Sequence, residues 1–142
     1  MGLLEKVFKK KTPVRNKDAG TVSERYWKSF LHAIDGIIYC IKYEHNMVII
    51  LAATLTVTIF GFSFQISTAE WLFIIFICGA IAACEVINSS IEAIVDLITK
   101  DYNELAKIAK DTASSASLIL CIVSLIGGLI IFLPKIIEMF GG

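Results

Sequence analysis

The chain has 142 residues, 56% hydrophobic and 18% charged, with a formal net charge of zero and a mean hydropathy of +0.75. That balance excludes an ordinary soluble domain of this length and points to one compact integral membrane domain. The neutral total hides an asymmetry, because nine of the thirteen Lys and Arg precede residue 43.

Residues 1–22 are basic and polar, and read as a cytoplasmic arm near anionic headgroups or as a plain solvated tail. They contain no secretory signal. Residues 23–44 follow as an amphipathic surface helix. Tyr26, Trp27, Phe30, Leu31, Ile34, Ile37, Ile38 and Ile41 recur at helical spacing, interrupted by Arg25, Lys28, Asp35 and Lys42. Residues 47–64 form a first span of about 27 Å, just enough for the hydrocarbon core. A short turn over Gly61–Ala69 carries no Lys or Arg, and Trp71 anchors the next helix at the interface.

Residues 70–98 read as one helix of about 43 Å, longer than a core of about 30 Å. A polar loop is expected over 99–112 and a third span over 113–133, opening on the small residues Ala113 to Ser117 and ending at Pro134. The four cysteines show no Cys-x-x-Cys spacing, so neither a disulfide framework nor a zinc site is expected. Twelve of the thirteen basic residues lie in the arm, the surface helix and the 99–112 loop. The positive-inside rule then makes the N-terminus and that loop cytoplasmic, in a multi-pass protein of the cytoplasmic (inner) membrane.

The second helix carries an unusual stripe. With Glu85 at zero on a helical wheel, Asn88 falls at about −60°, Ser89 at about +40°, Glu92 at about −20° and Asp96 at about +20°. Ionisable groups in a membrane helix are costly and face protein, water or an ion. Two carboxylates one or two turns apart suit Mg²⁺ shared with substrate phosphates. A third, deeper one suits proton abstraction from an alcohol. Glu44, at the end of the surface helix, shares the level of Glu92, as do Lys110 and Asp111. Structural roles compete at several positions: Asp111 as the N-cap of the third span, Lys110 as a positive-inside anchor, and Asn88 and Ser89 as glue between helices. The chain has no Walker A or other Gly-rich phosphate loop. From spacing alone, the stripe is a metal- or proton-handling membrane site facing the cytoplasm.

The run Glu85-Val86-Ile87-Asn88-Ser89-Ser90-Ile91-Glu92-Ala93-Ile94-Val95-Asp96 closely resembles the signature of the small prokaryotic integral-membrane lipid kinases, and Ala109-Lys110-Asp111 matches their A-K-D. The resemblance covers about residues 25–135. The family comprises bacterial diacylglycerol kinase and its Gram-positive relative, undecaprenol kinase. It implies an all-α membrane protein with three transmembrane helices plus an N-terminal amphipathic surface helix, assembled as a homotrimer with shared active sites.

The implied reaction moves the γ-phosphate of ATP, with Mg²⁺, onto a membrane lipid alcohol. No nucleic-acid partner is expected. The chain looks more like the undecaprenol kinase branch, on Glu44-His45-Asn46-Met47, Glu70-Trp71 and Gly128 to Lys135. His45 departs from that branch, which usually has Arg there, and Thr112 to Ser115 open the third span with more polarity than most relatives.

By resemblance, Glu85 is the general base beside the lipid and Asn88 positions the reacting groups. Glu44 and Glu92 hold the metal. Arg25, His32, Asp101, Tyr102, Asn103, Lys110 and Asp111 contact the nucleotide, and the lipid enters sideways past Ser114. Diacylglycerol phosphorylation, a small cation or proton pathway, and a purely structural membrane subunit are the competing readings.

Overall fold

The computed structural model describes residues 21–141, and these are all helical apart from short connections. The expected basic arm lies outside the described residues except for Thr21 and Val22. By contacts the chain divides into two compact units, Met1–Asp35 and Gly36–Gly142, and each is described by itself.

Helix α1 runs Val22–Tyr43, matching the expected surface helix. A reciprocal cap starts it. The backbone N–H of Thr21 donates to Glu24 Oε2 at 2.8 Å, and that of Glu24 donates to Thr21 Oγ1 at 3.4 Å. Glu44 then breaks the helix in an extended conformation, and α2 runs His45–Ser63. Its hydroxyls do not oppose burial in lipid: Thr54, Thr56, Thr58 and Ser63 each donate to the carbonyl four residues back.

The turn to the next helix is tighter than expected, confined to Phe64–Ser67, because α2 stays helical to Ser63. Gln65 takes a left-handed φ of 48°. Helix α3, Thr68–Ile98, is opened by Ser67, whose hydroxyl accepts from the N–H of Glu70 while Glu70 Oε2 accepts from the N–H of Ser67.

The structure corrects the sequence expectation in the last third. The loop is only Thr99–Asn103, not 99–112. Helix α4 begins at Glu104 and runs through Pro134 to Gly141, longer at both ends than the expected span of 113–133. Residues 104–112 are polar but rich in helix formers, so their polarity marks helix outside the apolar core rather than loop. Asn103 caps this helix, its Oδ1 accepting from the N–H groups of Leu105 at 2.9 Å and Ala106 at 3.2 Å. Asp111 is therefore not an N-cap. Beyond Pro134 the helix is kept useful by packing: Ile136 joins the core and Lys135 pairs with Glu70 at 3.3 Å.

Helices α2, α3 and α4 are each long and apolar enough to cross a membrane; α2 and α4 both pack on α3, and they meet each other at the turn end, where the Phe60 and Phe132 ring centroids are 6.2 Å apart. A groove with α3 as its floor results. At the turn end it is closed by a cluster of Ile66, Ile74, Ile131 and Phe132 with Trp71 and Phe73 against it. Two glycines permit this closure. A Cβ on Gly61 would lie 2.7 Å from the Trp71 ring, and one on Gly127 would collide with the Phe73 ring. Outward-facing Leu72, Ile75, Phe76, Leu125 and Ile130 remain exposed, as lipid- or partner-facing positions of a membrane helix do.

The helix lengths differ in a way that places the site. At about 1.5 Å per residue, α2 is about 28 Å long, whereas α3 is about 46 Å and α4 about 57 Å. All three are tied together at the turn end. Asn46, near the start of α2, lines the same cleft as Glu85 and Asn88. The last ten residues of α3 and the first turns of α4 thus rise past the beginning of α2, as a helical hairpin overhanging the apolar layer.

Candidate active site

Two clefts meet the residues singled out by the sequence. The first, about 240 Å³, lies in the groove at the level where α2 begins. Asn46, Ile49 and Ile50 of α2, Ile81, Glu85 and Asn88 of α3, and Ser114, Ser117, Leu118 and Cys121 of α4 line it. Glu85 is 3% exposed and Asn88 5% exposed, so these polar groups are core residues of an apolar helix. They are not idle. Ser117 Oγ donates across the hairpin to Glu85 Oε2 at 3.2 Å, and Asn88 Nδ2 donates to Glu92 Oε1 at 2.9 Å. Among the described residues the buried Asn88 Oδ1 has no partner. A buried acceptor left without a donor is costly, so this oxygen is available to one.

Ser89 does not act as glue between helices; its hydroxyl donates to the Glu85 carbonyl of its own helix at 3.0 Å. Ser114 lines the cleft, and its hydroxyl donates to the Asp111 carbonyl at 3.1 Å. Ser117, one turn further on, is the serine that reaches Glu85. No motif points to it, although its spacing from Ser114 puts both on one face of α4.

The second cleft, about 420 Å³, sits on the overhang and is lined by Val95, Asp96, the loop 99–103, Ala106, Lys107, Lys110 and Asp111. It brings together five residues expected from resemblance to contact nucleotide: Asp101, Tyr102, Asn103, Lys110 and Asp111. Lys110 Nζ is 2.6 Å from Asp96 Oδ1, and Lys107 pairs with Asp111. The acidic stripe therefore changes character along α3. Glu85 and Asn88 are buried, Glu92 is half-buried, and Asp96 is exposed where the helix leaves its neighbours.

Glu44 stands half-buried between α1 and α2, and its side chain makes no capping bond although it occupies the N-cap position. Its carboxylate is not consumed by the fold. Among the described residues, no three His, Cys, Asp or Glu side chains converge as a complete metal cage. Arg25 and His32 lie in the first unit. Arg25 is exposed beside Val22, Tyr26 and Ser29, and His32 Nδ1 is 3.9 Å from Asp35 Oδ2 on the exposed helix surface.

A buried carboxylate at the foot of a polar, lysine-bearing overhang is an arrangement for chemistry at a membrane surface. The chain matches the family model "Prokaryotic diacylglycerol kinase" over residues 31–132, which take in every expected site residue except Arg25. The chain belongs to the prokaryotic diacylglycerol kinase family. It is 40% identical over 121 residues to the undecaprenol kinase of Bacillus subtilis (strain 168), covering 85% of this chain and 98% of that one. It is 28% identical over 130 residues to a diacylglycerol kinase of Synechocystis, covering 91% and 74%. The diacylglycerol kinase of Escherichia coli (strain K12) is 52% identical, but over 42 residues only, 30% of this chain and 34% of that one. Membership of the prokaryotic diacylglycerol kinase family makes the protein a membrane lipid kinase, with ATP as co-substrate.

Proposed function

We propose that this kinase phosphorylates undecaprenol, giving undecaprenyl phosphate and ADP. The structural observation that carries the kinase reading is the continuity from buried Glu85 and Asn88, through Glu92, to the polar cleft holding Lys110. The choice of alcohol rests on the similarity to the Bacillus subtilis undecaprenol kinase along nearly its whole length. The diacylglycerol kinase of Synechocystis supports diacylglycerol as the second reading.

On this reading the lipid hydroxyl enters the groove and reaches Glu85. Its oxygen attacks the γ-phosphorus of ATP, forming the new P–O bond as the bond to ADP breaks. The hydroxyl proton passes to the Glu85 carboxylate. Asn88 Oδ1, the unpartnered buried acceptor, orients the reacting groups. The overhang binds nucleotide, with Lys110 as the cation nearest the phosphates and Asp101, Tyr102, Asn103 and Asp111 around them; Arg25 and His32 of α1 are added by resemblance. Oxygen donors are the ligands a magnesium ion prefers. Asn88 Oδ1 lacks a partner, Glu44 has a carboxylate free of capping, and such a cation commonly takes its remaining ligands from phosphate and water. Glu44 and Glu92 would hold Mg²⁺, which supplies charge neutralisation of the phosphates when bound.

We further propose that the protein is a homotrimer in the cytoplasmic membrane. The N-terminus and the 99–103 loop face the cytoplasm, where ATP is available. The distribution of Lys and Arg supports that orientation.

The test is ATP-dependent phosphorylation in lipid nanodiscs, with undecaprenol and diacylglycerol offered separately, and with Glu85→Gln and Glu92→Gln alongside. Labelled undecaprenyl phosphate, lost in both variants, is the expected result. Labelled phosphatidic acid alone would replace the substrate and keep the mechanism. Full activity in both variants would remove the site.

A further inference from the structure

Three polar rungs join α3 to α4 among the described residues: Glu70 with Lys135, Glu85 with Ser117, and Asp96 with Lys110. The outer two are ion pairs at the ends of the hairpin. The middle one lies in the apolar layer and ends on the carboxylate assigned as the base. We propose that Ser117 is a positioning residue for Glu85: its hydroxyl fixes Oε2, so that Oε1 is the oxygen presented to the lipid alcohol. This inference rests on the proposed role of Glu85.

The argument is one of degrees of freedom and of cost. A glutamate side chain has three rotatable bonds; Ile49, Ile50, Ile81 and Leu118 of the cleft offer no hydrogen bonds, and among the described residues the polar lining residues Asn46, Asn88, Ser114 and Cys121 make none to the Glu85 carboxylate, which Ser117 alone reaches. An unheld carboxylate there would swing between orientations, and proton transfer needs it within hydrogen-bond reach of the hydroxyl. Without chemistry, Ser117 would serve to tie two helices together or to let them pack closely, and an apolar pair at this depth would do both without putting a carboxylate in the membrane. Ser114, on the same face of α4, does not hold Glu85 in this structure; its hydroxyl donates to the Asp111 carbonyl.

Steady-state kinetics of the full-length protein in nanodiscs, with saturating undecaprenol and varied Mg·ATP, decide the matter for wild type, Glu85→Gln, Ser117→Ala and Ser117→Thr. The expected result is a fall in kcat of about ten- to thirtyfold in Ser117→Ala with KM for ATP unchanged. Ser117→Thr, which keeps the hydroxyl, recovers most of the loss. Wild-type kcat in Ser117→Ala, beside an inactive Glu85→Gln, would overturn the inference and leave the base intact. Equal losses in Ser117→Ala and Ser117→Thr would overturn it too, because packing and not the hydroxyl would then matter. Wild-type activity in Glu85→Gln would overturn the proposed role of Glu85 and this inference with it, and so would a wild type inactive on undecaprenol and diacylglycerol alike.

Discussion

Lys110 reaches back across the 99–103 loop to Asp96, Nζ to Oδ1 at 2.6 Å, fourteen residues apart in sequence and on different helices. The pair holds the ammonium of Lys110 over the cleft assigned to nucleotide. Asp96→Asn keeps the shape of the side chain and removes its charge. It is expected to raise KM for ATP about fivefold with kcat little changed, the scale of an exposed ion pair. Lys110→Ala should lower kcat/KM far more, because it removes the cation itself. Initial-rate measurements over a range of ATP concentrations check both.

Glu92 accepts from Asn88 and carries the carboxylate expected to meet Mg²⁺. In Glu92→Gln the oxygen that Asn88 bonds is retained, but the negative charge is gone. The concentration of Mg²⁺ for half-maximal activity at saturating ATP is expected to rise about tenfold or more. A magnesium titration showing the wild-type midpoint would remove Glu92 from the metal site.

Gly127 has no room for a methyl group, because the Phe73 ring lies where its Cβ would be. Gly127→Ala should destabilise the closed end of the groove by about 1–3 kcal/mol. Thermal inactivation in detergent would register it as a lower midpoint. Combining it with Phe73→Leu should restore part of the loss, and no recovery would mean that the ring is not the obstacle.

Glu70 does two jobs with one carboxylate: Oε2 completes the cap of α3 and Oε1 takes Lys135 of α4. Glu70→Ala is expected to lower the thermal midpoint by more than Lys135→Ala, since it loses both interactions. Neither should change kcat at moderate temperature, because this end of the bundle carries no site residue. A large loss of kcat in folded Glu70→Ala would contradict that separation.

Much of this organisation was legible from residue order. The apolar runs located three membrane-length helices, and helical geometry put Glu85, Asn88, Glu92 and Asp96 on one face. The errors share a cause. The polarity of residues 104–112 suggests a loop, yet it reports distance from the apolar layer, and Leu105, Ala106 and Ala109 keep the backbone helical. Pro134 suggests a stop, yet packing of Ile136 and the Lys135–Glu70 pair carry α4 past it. Ser117 stayed hidden among several small residues, since only the three-dimensional pairing of α3 with α4 distinguishes it from Ser115.

Helices α2 and α4 both rest on α3 and meet at the turn end through the Phe60 and Phe132 rings; on the proposed function, the cleft beside Glu85 towards the other end takes its lipid from the surrounding hydrocarbon. A long-chain alcohol can then slide in from the bilayer plane without leaving it, while ATP arrives from water. The two substrates obey different concentration scales. For the alcohol the controlling variable is its mole fraction among membrane lipids, so adding inert phospholipid should slow the enzyme by dilution within the surface even when bulk amounts are fixed.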